Sequence, residues 1–279
     1  MTAVNDIRCE LGEGAFWHPD RAEFFWVDIL GGKLHSVARS WDFPKMISAM
    51  GRVDAQTILI ASETRLMLFD LEAGAARTLC ALEADNAATR SNDGRADPQG
   101  GFWIGTMGKQ AQKGDGSIWR YWRGELRRLY SGLSIPNAIS FAPDGASACF
   151  TDTVTRQIMR VAVDDEGWPE GTPECWLDLT GAGLNPDGAV FDATGNFWVA
   201  QWGAARVAGY APDGEFLQAV EFPAAHTSCP AFGGADFGTL YCTTAREGRA
   251  RPTPLDGASF HTRAPARGQA EYRVRLADA

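Results

Sequence analysis

The sequence contains little that would build a helical or a membrane-embedded protein. No segment of useful length repeats apolar residues with the period of an amphipathic helix, and no run reaches the ~18 apolar residues that a membrane span needs. The first residues, Met1 to Asp6, have neither the basic patch nor the apolar segment of a secretion signal. We therefore expect an all-β protein in the cytoplasm, without a membrane partner.

The usual patterns of covalent and thiolate chemistry are also missing. The sequence has no Gly-x-Ser-x-Gly nucleophile motif and no C-x-x-C pair. The six cysteines are widely spaced and mostly lie in apolar runs, which indicates reduced core residues: Cys9, Cys80, Cys149, Cys175, Cys229 and Cys242. The four histidines follow no metal or nucleophile spacing, so we predict structural roles for His18, His35, His226 and His261. A disulfide framework, a structural zinc site and a serine or cysteine hydrolase are not expected.

Positive charge is in short supply. The 279 residues include 26 Lys and Arg against 35 Asp and Glu, which gives a net charge of −9. An acidic surface repels nucleic acids and anionic membranes, so a cation or a small solute is the better candidate partner. With 45% hydrophobic residues the chain can bury a large core, at a size where a closed β architecture forms one domain. We therefore predict a single domain over residues 1–279.

What the sequence does contain is a repeated unit. Apolar alternation leads into a short turn and then into an aromatic or β-branched strand that ends in Asp or a small polar residue. The unit is clear at residues 15–28, 90–107, 139–152 and 189–200, weaker at 231–243 and weakest at 57–69. Its turn residues Gln99, Asp144, Thr194 and Asp236 recur every 42 to 50 residues, about the length of a four-stranded propeller blade. Six copies predict an all-β, six-bladed β-propeller.

The two ends of the chain receive different predictions. The last copy is one outer strand short, and residues 3–8 can supply that strand from the N-terminus, which would close the ring and remove its open edges. The tail, residues 264–279, is expected on the periphery.

Four oxygen-bearing side chains occupy the same position in four copies of the unit. Glu13, Asn92, Asn137 and Asp187 each lie seven residues before a turn position, whereas Gln56 and Cys229 fill the place in the remaining two copies. Taken singly, Asn-Asp-Gly and Pro-Asp-Gly are typical hairpin-turn sequences, and Glu13 could be an exposed loop carboxylate. A shared register in four blades favours convergence at one mouth of the central channel.

The chemistry of these side chains indicates a hard cation. Two carboxylates and two amides, without histidine or cysteine, suit Ca²⁺ or Mg²⁺/Mn²⁺ rather than copper or structural zinc. Arg90, two residues before Asn92, can reach the same mouth and bind a substrate oxygen, although a surface arginine is an equal alternative. Asp93 and Asp97 are expected to serve turns, and Trp202 is the tryptophan expected to wall a pocket.

Four motif groups, in this order, resemble one known family. They are Leu11-Gly12-Glu13-Gly14 with Trp26-Val27-Asp28-Ile29, Asn92-Asp93-Gly94 with Gly105-Thr106-Met107, Pro136-Asn137 with Phe150-Thr151-Asp152, and Pro186-Asp187-Gly188 with Trp198-Val199-Ala200. The sequence thereby resembles the gluconolactonase, regucalcin (senescence marker protein) and luciferin-regenerating enzyme family over roughly residues 7 to 263. The resemblance implies a six-bladed propeller, one divalent metal ion and hydrolysis of sugar lactones in carbohydrate metabolism.

The resemblance also assigns roles to residues. It implies that Glu13, Asn137 and Asp187 ligate the metal and that Arg90 and Asn92 bind substrate. The metal is expected to be Ca²⁺ in the first place, with Zn²⁺, Mg²⁺ or Mn²⁺ as alternatives. Some members carry an acidic residue that contacts substrate soon after Gly-Thr-Met, where this chain has Gly108-Lys109-Gln110. The sugar preference therefore does not transfer.

The implied reaction is metal-assisted hydrolysis of a gluconolactone-, galactonolactone- or arabinonolactone-like ester to the aldonic acid. The metal polarises the lactone carbonyl and Asp187 is the candidate base for the attacking water. Activation of the water by the cation itself stays open as a second route. A non-catalytic calcium- or ligand-binding propeller is the alternative function, and an interaction propeller the third. The sequence leaves the oligomeric state undetermined.

Overall fold

A computed structural model describes residues 1–277 of the chain. Its 24 strands form six four-stranded antiparallel sheets, and none of the described residues forms a helix that is long and apolar enough to cross a membrane. The innermost strands of the sheets contact one another in cyclic order, including the first with the last. The predicted six-bladed β-propeller is confirmed.

Each blade takes four strands in nearly sequential order. Blade one contains β2 (Gly12–His18), β3 (Glu23–Asp28), β4 (Lys33–Ser36) and β5 (Ser40–Asp42), and blade two contains β6 (Ile47–Arg52), β7 (Thr57–Ser62), β8 (Arg65–Asp70) and β9 (Ala75–Ala81). Blade three contains β10 (Thr89–Ala96), β11 (Phe102–Gly108), β12 (Gly116–Trp122) and β13 (Glu125–Leu133), and blade four contains β14 (Pro136–Phe141), β15 (Ser147–Asp152), β16 (Gln157–Val163) and β17 (Pro169–Asp178). Blade five contains β18 (Asn185–Phe191), β19 (Phe197–Trp202), β20 (Arg206–Tyr210) and β21 (Phe216–Glu221).

The sixth blade combines both ends of the chain. It contains β22 (Thr227–Gly233), β23 (Thr239–Thr244), β24 (Phe260–Arg263) and, as its outer strand, β1 (Thr2–Ala3). Thr2 lies opposite His261 and Ala3 opposite Phe260. The N-terminal strand is shorter than the segment 3–8 proposed from the sequence, and it pairs with the first two residues of β24.

The hydrophobic core lies between the blades rather than on the ring axis. Each blade is covered on both faces by its two neighbours. The second strand of a blade is therefore apolar on both sides. In β3, Phe24, Phe25, Trp26 and Val27 are all buried, and Trp198 of β19 is buried in the same way. Because the apolar surface is used between blades, the axial channel is left to the innermost strands and their polar side chains.

Each innermost strand contains a bulge of one residue near its start. In β2 the register passes from Glu13 opposite Val27 to Phe16 opposite Phe25, so two residues of β2 face one of β3. The same extra residue occurs in the other five innermost strands. Gly14 adopts a left-handed conformation there, with φ 55°. Such bulges redirect side chains, and they place Asn92-Asp93-Gly94 and Pro186-Asp187-Gly188 inside strands rather than in hairpin turns.

The repeat prediction was wrong for blade two. Its innermost strand is β6, one strand earlier than the unit read at residues 57–69, so Gln56 lies in an exposed turn between β6 and β7 and does not face the channel. The β6 sequence, Ile-Ser-Ala-Met-Gly-Arg, has small residues and no aromatic, which explains why the more apolar β7–β8 pair resembled the unit better.

The predicted position of the tail was also wrong. Residues 264–277 cross the end of the channel opposite the strand starts: Gly268 bridges to Asp192 of blade five, and Arg273 bridges to Arg52 of blade two. Glu271, between these two residues, forms an ion pair with Arg95 of β10. Val274, which follows Arg273, is buried. The tail therefore covers one end of the channel because an apolar side chain and a buried arginine hold it there.

In the turn between β18 and β19, one buried carboxylate organises the backbone. The Asp192 carboxylate accepts hydrogen bonds from the backbone and side chain of Thr194 (2.9 and 2.8 Å), the backbone and side chain of Asn196 (3.0 and 2.8 Å) and Trp198 Nε1 (3.0 Å). Burial opposes ionisation, but these hydrogen bonds outweigh it and hold the pKa of Asp192 below its usual value.

We expect Asp192→Asn to lower the free energy of unfolding by about 2–3 kcal/mol at pH 7, because an amide replaces an acceptor that only donors surround. Because the folded-state pKa is lowered, the stabilisation is present above the unfolded pKa of about 3.9 and is lost as pH falls through the folded value. Urea unfolding at neutral and acidic pH measures both effects. Asp213→Asn, in an exposed turn of the same blade, is the control, and an equal loss in both variants would contradict the assignment.

Candidate functional site

The open end of the channel contains a cavity of about 220 Å³. All five residues predicted for the site line it: Glu13, Arg90, Asn92, Asn137 and Asp187. Each comes from the first residues of an innermost strand, β2, β10, β14 or β18. The bulge described above occurs at or beside these positions, so one backbone irregularity, repeated from blade to blade, directs these side chains toward the axis.

Two carboxylates are buried in this cavity. Glu13 is 7% exposed and Asp187 is 5% exposed. Burial, followed by the charge of Asp93, raises the pKa of Glu13 to about 8. Burial, followed by the charge of Glu13, raises the pKa of Asp187 well above its ordinary value. Two like charges in one desolvated place are unfavourable unless protons or a cation balance them.

The amides belong to a chain of hydrogen bonds that crosses three blades. Asn92 Nδ2 donates to Asn137 Oδ1 at 2.9 Å and to the carbonyl of Pro136 at 3.0 Å. Asn137 Nδ2 then donates to Thr153 Oγ1 at 2.9 Å, and Thr153 Oγ1 donates to the carbonyl of Pro186 at 2.8 Å. These contacts fix the amide orientation of Asn137 and end at the residue before Asp187. Asn92 therefore positions Asn137 as well as facing the cavity.

Arg90 is the one positive side chain among the cavity-lining residues. Its Nη1 donates to Asn92 Oδ1 and to the carbonyl of Ser91, both at 2.8 Å. Burial lowers the pKa of Arg90, while the charges of Glu247, Glu13 and Asp187 act in the opposite direction. Because no carboxylate among residues 1–277 forms an ion pair with Arg90, its remaining donors can meet a bound oxygen.

Other lining residues were not predicted. They are Leu11, Met107, Ala111, Ile135, Thr153 and Glu247, whereas Trp202 was expected as a wall and does line the cavity. Thr153 directly follows the Phe150-Thr151-Asp152 motif, so a register argument for the strand ends could have found it. Glu247 lies in the long connection between β23 and β24, outside the repeated unit, and no pattern marks it.

Two acidic residues of the central motif serve structure in different ways. Asp97 Oδ1 accepts from Gly101 N at 2.7 Å in the predicted turn, and its Oδ2 pairs with buried Arg120 at 2.7 Å. Asp93 is not a turn residue: it is buried in the β10 bulge, and its Oδ2 accepts from Ile139 N of blade four at 2.8 Å. Burial raises the pKa of Asp93 to about 6, against the opposing charge of Arg95.

The segment after Gly-Thr-Met directs its charge away from the cavity. Lys109 Nζ lies 3.0 Å from one oxygen of Glu63, while Lys45 Nζ lies 2.9 Å from the other. Lys109 does not line the cavity, although Met107 and Ala111 on either side of it do. This chain therefore uses Lys109 to connect blades two and three at the mouth.

The donor set fits a divalent cation. Glu13 and Asp187 supply two buried carboxylates, and a divalent cation would balance their combined charge. Within residues 1–277, no cluster of three His, Cys, Asp or Glu side chains could hold a metal ion. The predicted set is of another kind, with two carboxylates and the carbonyl oxygen of an amide. Such oxygen ligands suit hard cations, and Glu13, Asn137 and Asp187 would hold one.

Several known proteins are similar to this chain over most of its length. A solved structure of a calcium-binding protein, regucalcin, from Agrobacterium tumefaciens str. C58 is 36% identical to this chain, covers 98% of it and 97% of its own chain, and superposes with a TM-score of 0.95. L-arabinolactonase of Azospirillum brasilense is 34% identical over 88% of this chain and 85% of its own length. The 6-deoxy-6-sulfogluconolactonase of Pseudomonas putida is 32% identical over 94% of each.

The family model for the SMP-30/Gluconolactonase/LRE-like region matches residues 11–246. The match covers most of the chain and includes all five predicted site residues, and it confirms the resemblance seen in the four motif groups. The chain therefore belongs to the SMP-30/gluconolactonase/LRE-like family.

Proposed function

We propose that the protein is a divalent-metal-dependent sugar lactonase that converts an aldonolactone to the aldonic acid. The observation that carries the proposal is the buried Glu13 and Asp187 pair at the base of a cavity that also presents Arg90. The cavity, about 220 Å³, is smaller than the ~300–1,000 Å³ of sites for drug-sized ligands, so a single sugar ring suits it. The lactonase names of two similar proteins support the same reaction class.

The chain's own residues account for orientation and proton transfer. Glu13, Asn137 and Asp187 would hold a divalent cation, which would supply Lewis-acid polarisation of the lactone carbonyl. Arg90 donates hydrogen bonds to an oxygen of the substrate, and Asn92 faces the substrate while it holds Asn137 in place. Asp187 accepts a proton from the water whose oxygen attacks the carbonyl carbon. The ring C–O bond then breaks, and the proton passes to the departing ring oxygen, which becomes a hydroxyl group.

Ca²⁺ is the cation that we propose first, with Zn²⁺, Mg²⁺ or Mn²⁺ as alternatives. The oxygen-only ligands favour a hard cation, and the similar Agrobacterium structure is described as a calcium-binding protein. The second candidate function, a non-catalytic calcium- or ligand-binding propeller, is favoured by that same description. A panel of gluconolactone, galactonolactone and arabinonolactone, each assayed with these four cations, separates the two functions, because only the lactonase releases acid.

Removal of the cation tests the metal dependence. We expect a chelator to abolish lactone hydrolysis and added cation to restore it. Full activity in protein shown to be metal-free by elemental analysis would contradict the proposal. Glu13→Gln should weaken cation binding at least about tenfold through the lost charge, measured by calorimetric titration, with little change in the melting temperature. Glu10→Gln, an exposed carboxylate three residues earlier, is the control and should bind the cation normally.

Asp187→Asn tests the proton acceptor. The substitution keeps the shape and an oxygen ligand but removes the base, so kcat should fall by at least about 10²-fold, the lower range of general-base catalysis. Cation affinity should fall as well, and turnover must therefore be measured with the variant saturated and its occupancy confirmed. Near-normal kcat at full occupancy would remove Asp187 as the base and favour activation of the water by the cation.

Arg90→Ala tests the substrate side of the site. Loss of the guanidinium should lower kcat/KM by about 10- to 100-fold, because hydrogen bonds from a charged donor contribute about 1.5–3 kcal/mol. Cation affinity should change little, since Arg90 contacts Ser91 and Asn92 rather than the carboxylates. Arg90→Lys keeps the charge without the planar fork and should recover only part of the activity. Loss of cation binding in Arg90→Ala would show that the role is wrong.

A further inference from the structure

One charged lining residue has no part in the proposed reaction. Glu247 belongs to the connection between β23 and β24, it is exposed, and it lines the outer part of the cavity. Among residues 1–277 its carboxylate has no hydrogen-bond or ion-pair partner. Arg246, Arg249 and Arg251 in the same connection do not line the cavity, and Arg249 lies 3.5 Å from Asp256. Glu247 is therefore the charge that this connection presents to a ligand.

The backbone of Glu247 is held in place on both sides. Its N–H donates to the carbonyl of Glu10 at 2.8 Å, directly before the lining residue Leu11. Its carbonyl is hydrogen-bonded to His226 Nδ1 at 2.8 Å, and the His226 ring stacks on Trp202 with centroids 4.2 Å apart. Since Trp202 walls the cavity, these contacts fix the start of the connection against two walls. The backbone of Glu247 is thus held beside the cavity, and its carboxylate is within reach of a ligand there.

The two ends of the cavity differ in exposure. Glu13 and Asp187 lie at the buried end, where the reacting carbonyl is placed, so the ring substituents farthest from the carbonyl extend toward the exposed end and Glu247. A carboxylate accepts hydrogen bonds from hydroxyl groups and repels carboxylate, phosphate and sulfonate groups. Resting on the lactonase function proposed above, we infer that Glu247 is a specificity-determining residue that selects uncharged polyhydroxy lactones over lactones with an anionic substituent.

The test compares two substrates that differ only in that substituent, D-gluconolactone and 6-phosphogluconolactone. The wild-type protein, Glu247→Gln and Glu215→Gln are each saturated with the same cation before kcat and KM are measured. Glu215 is an exposed carboxylate in blade five that does not line the cavity, so it controls for the change in net charge. The wild-type protein should prefer the uncharged lactone.

In Glu247→Gln we expect kcat/KM for gluconolactone to fall about 5- to 10-fold, mainly through KM, as a charged acceptor is replaced by a neutral one. The value for the phosphorylated lactone should rise by a similar factor, because one repulsion is removed. The wild-type preference should also weaken at high salt, which screens exposed charges, whereas the preference of Glu247→Gln should not. Glu215→Gln should match the wild-type protein in all three respects.

Three results would overturn the inference. An unchanged substrate ratio in Glu247→Gln would show that the carboxylate does not contact the variable substituent. Loss of cation affinity, with kcat reduced equally for both lactones, would make Glu247 part of the cation site instead. If the wild-type protein hydrolyses no lactone with any of the four cations, the proposed function and the inference are both overturned. This outcome is distinct from the first two, because in those the wild-type protein is active.

Discussion

The buried, like-charged pair of Glu13 and Asp187 is the constraint on which the rest of the site depends. Isolated carboxylates at 7% and 5% exposure are held near each other by two different blades, and neither has a cationic partner among the described residues. Their raised pKa values express the same cost. A fold keeps such an arrangement only if its other parts are stable enough to impose it. Here the closed ring, with its apolar layers between blades, supplies that stability.

The two ends of the channel differ in how their buried charges are paired. At the end that the tail covers, Arg95 pairs with Glu271, and the nearby Asp93 accepts a hydrogen bond from Ile139 of the next blade. At the open end, the carboxylates have one arginine among them, and that arginine donates to Ser91 and Asn92 instead. The imbalance at the open end is the observation that supports the proposed cation and substrate there.

The sequence predicted those parts of the molecule that repeat. The blade number and the convergence of Glu13, Asn92, Asn137 and Asp187 followed from a shared register, since equivalent positions of repeated strands point at one axis. Blade two was misplaced because β6 has small residues where other blades have aromatics. The tail was misplaced because its anchors, Val274 and the pair of Glu271 with Arg95, are contacts across the whole ring. Periodicity contains no information about such contacts.

The difference between repeated strands and individual contacts also applies within the candidate site. Glu13, Asn137 and Asp187 lie on bulged strands, whose geometry the ring itself fixes, so the position of these three candidate ligands follows from the fold. Lys109 and Glu247 lie on connections at the mouth, and their positions depend on local contacts with Glu63, Glu10 and His226. Connections vary while a scaffold stays constant. Lys109 connects two blades instead of facing the cavity, and our inference for Glu247 therefore assigns the outer substrate contact to the connection between β23 and β24.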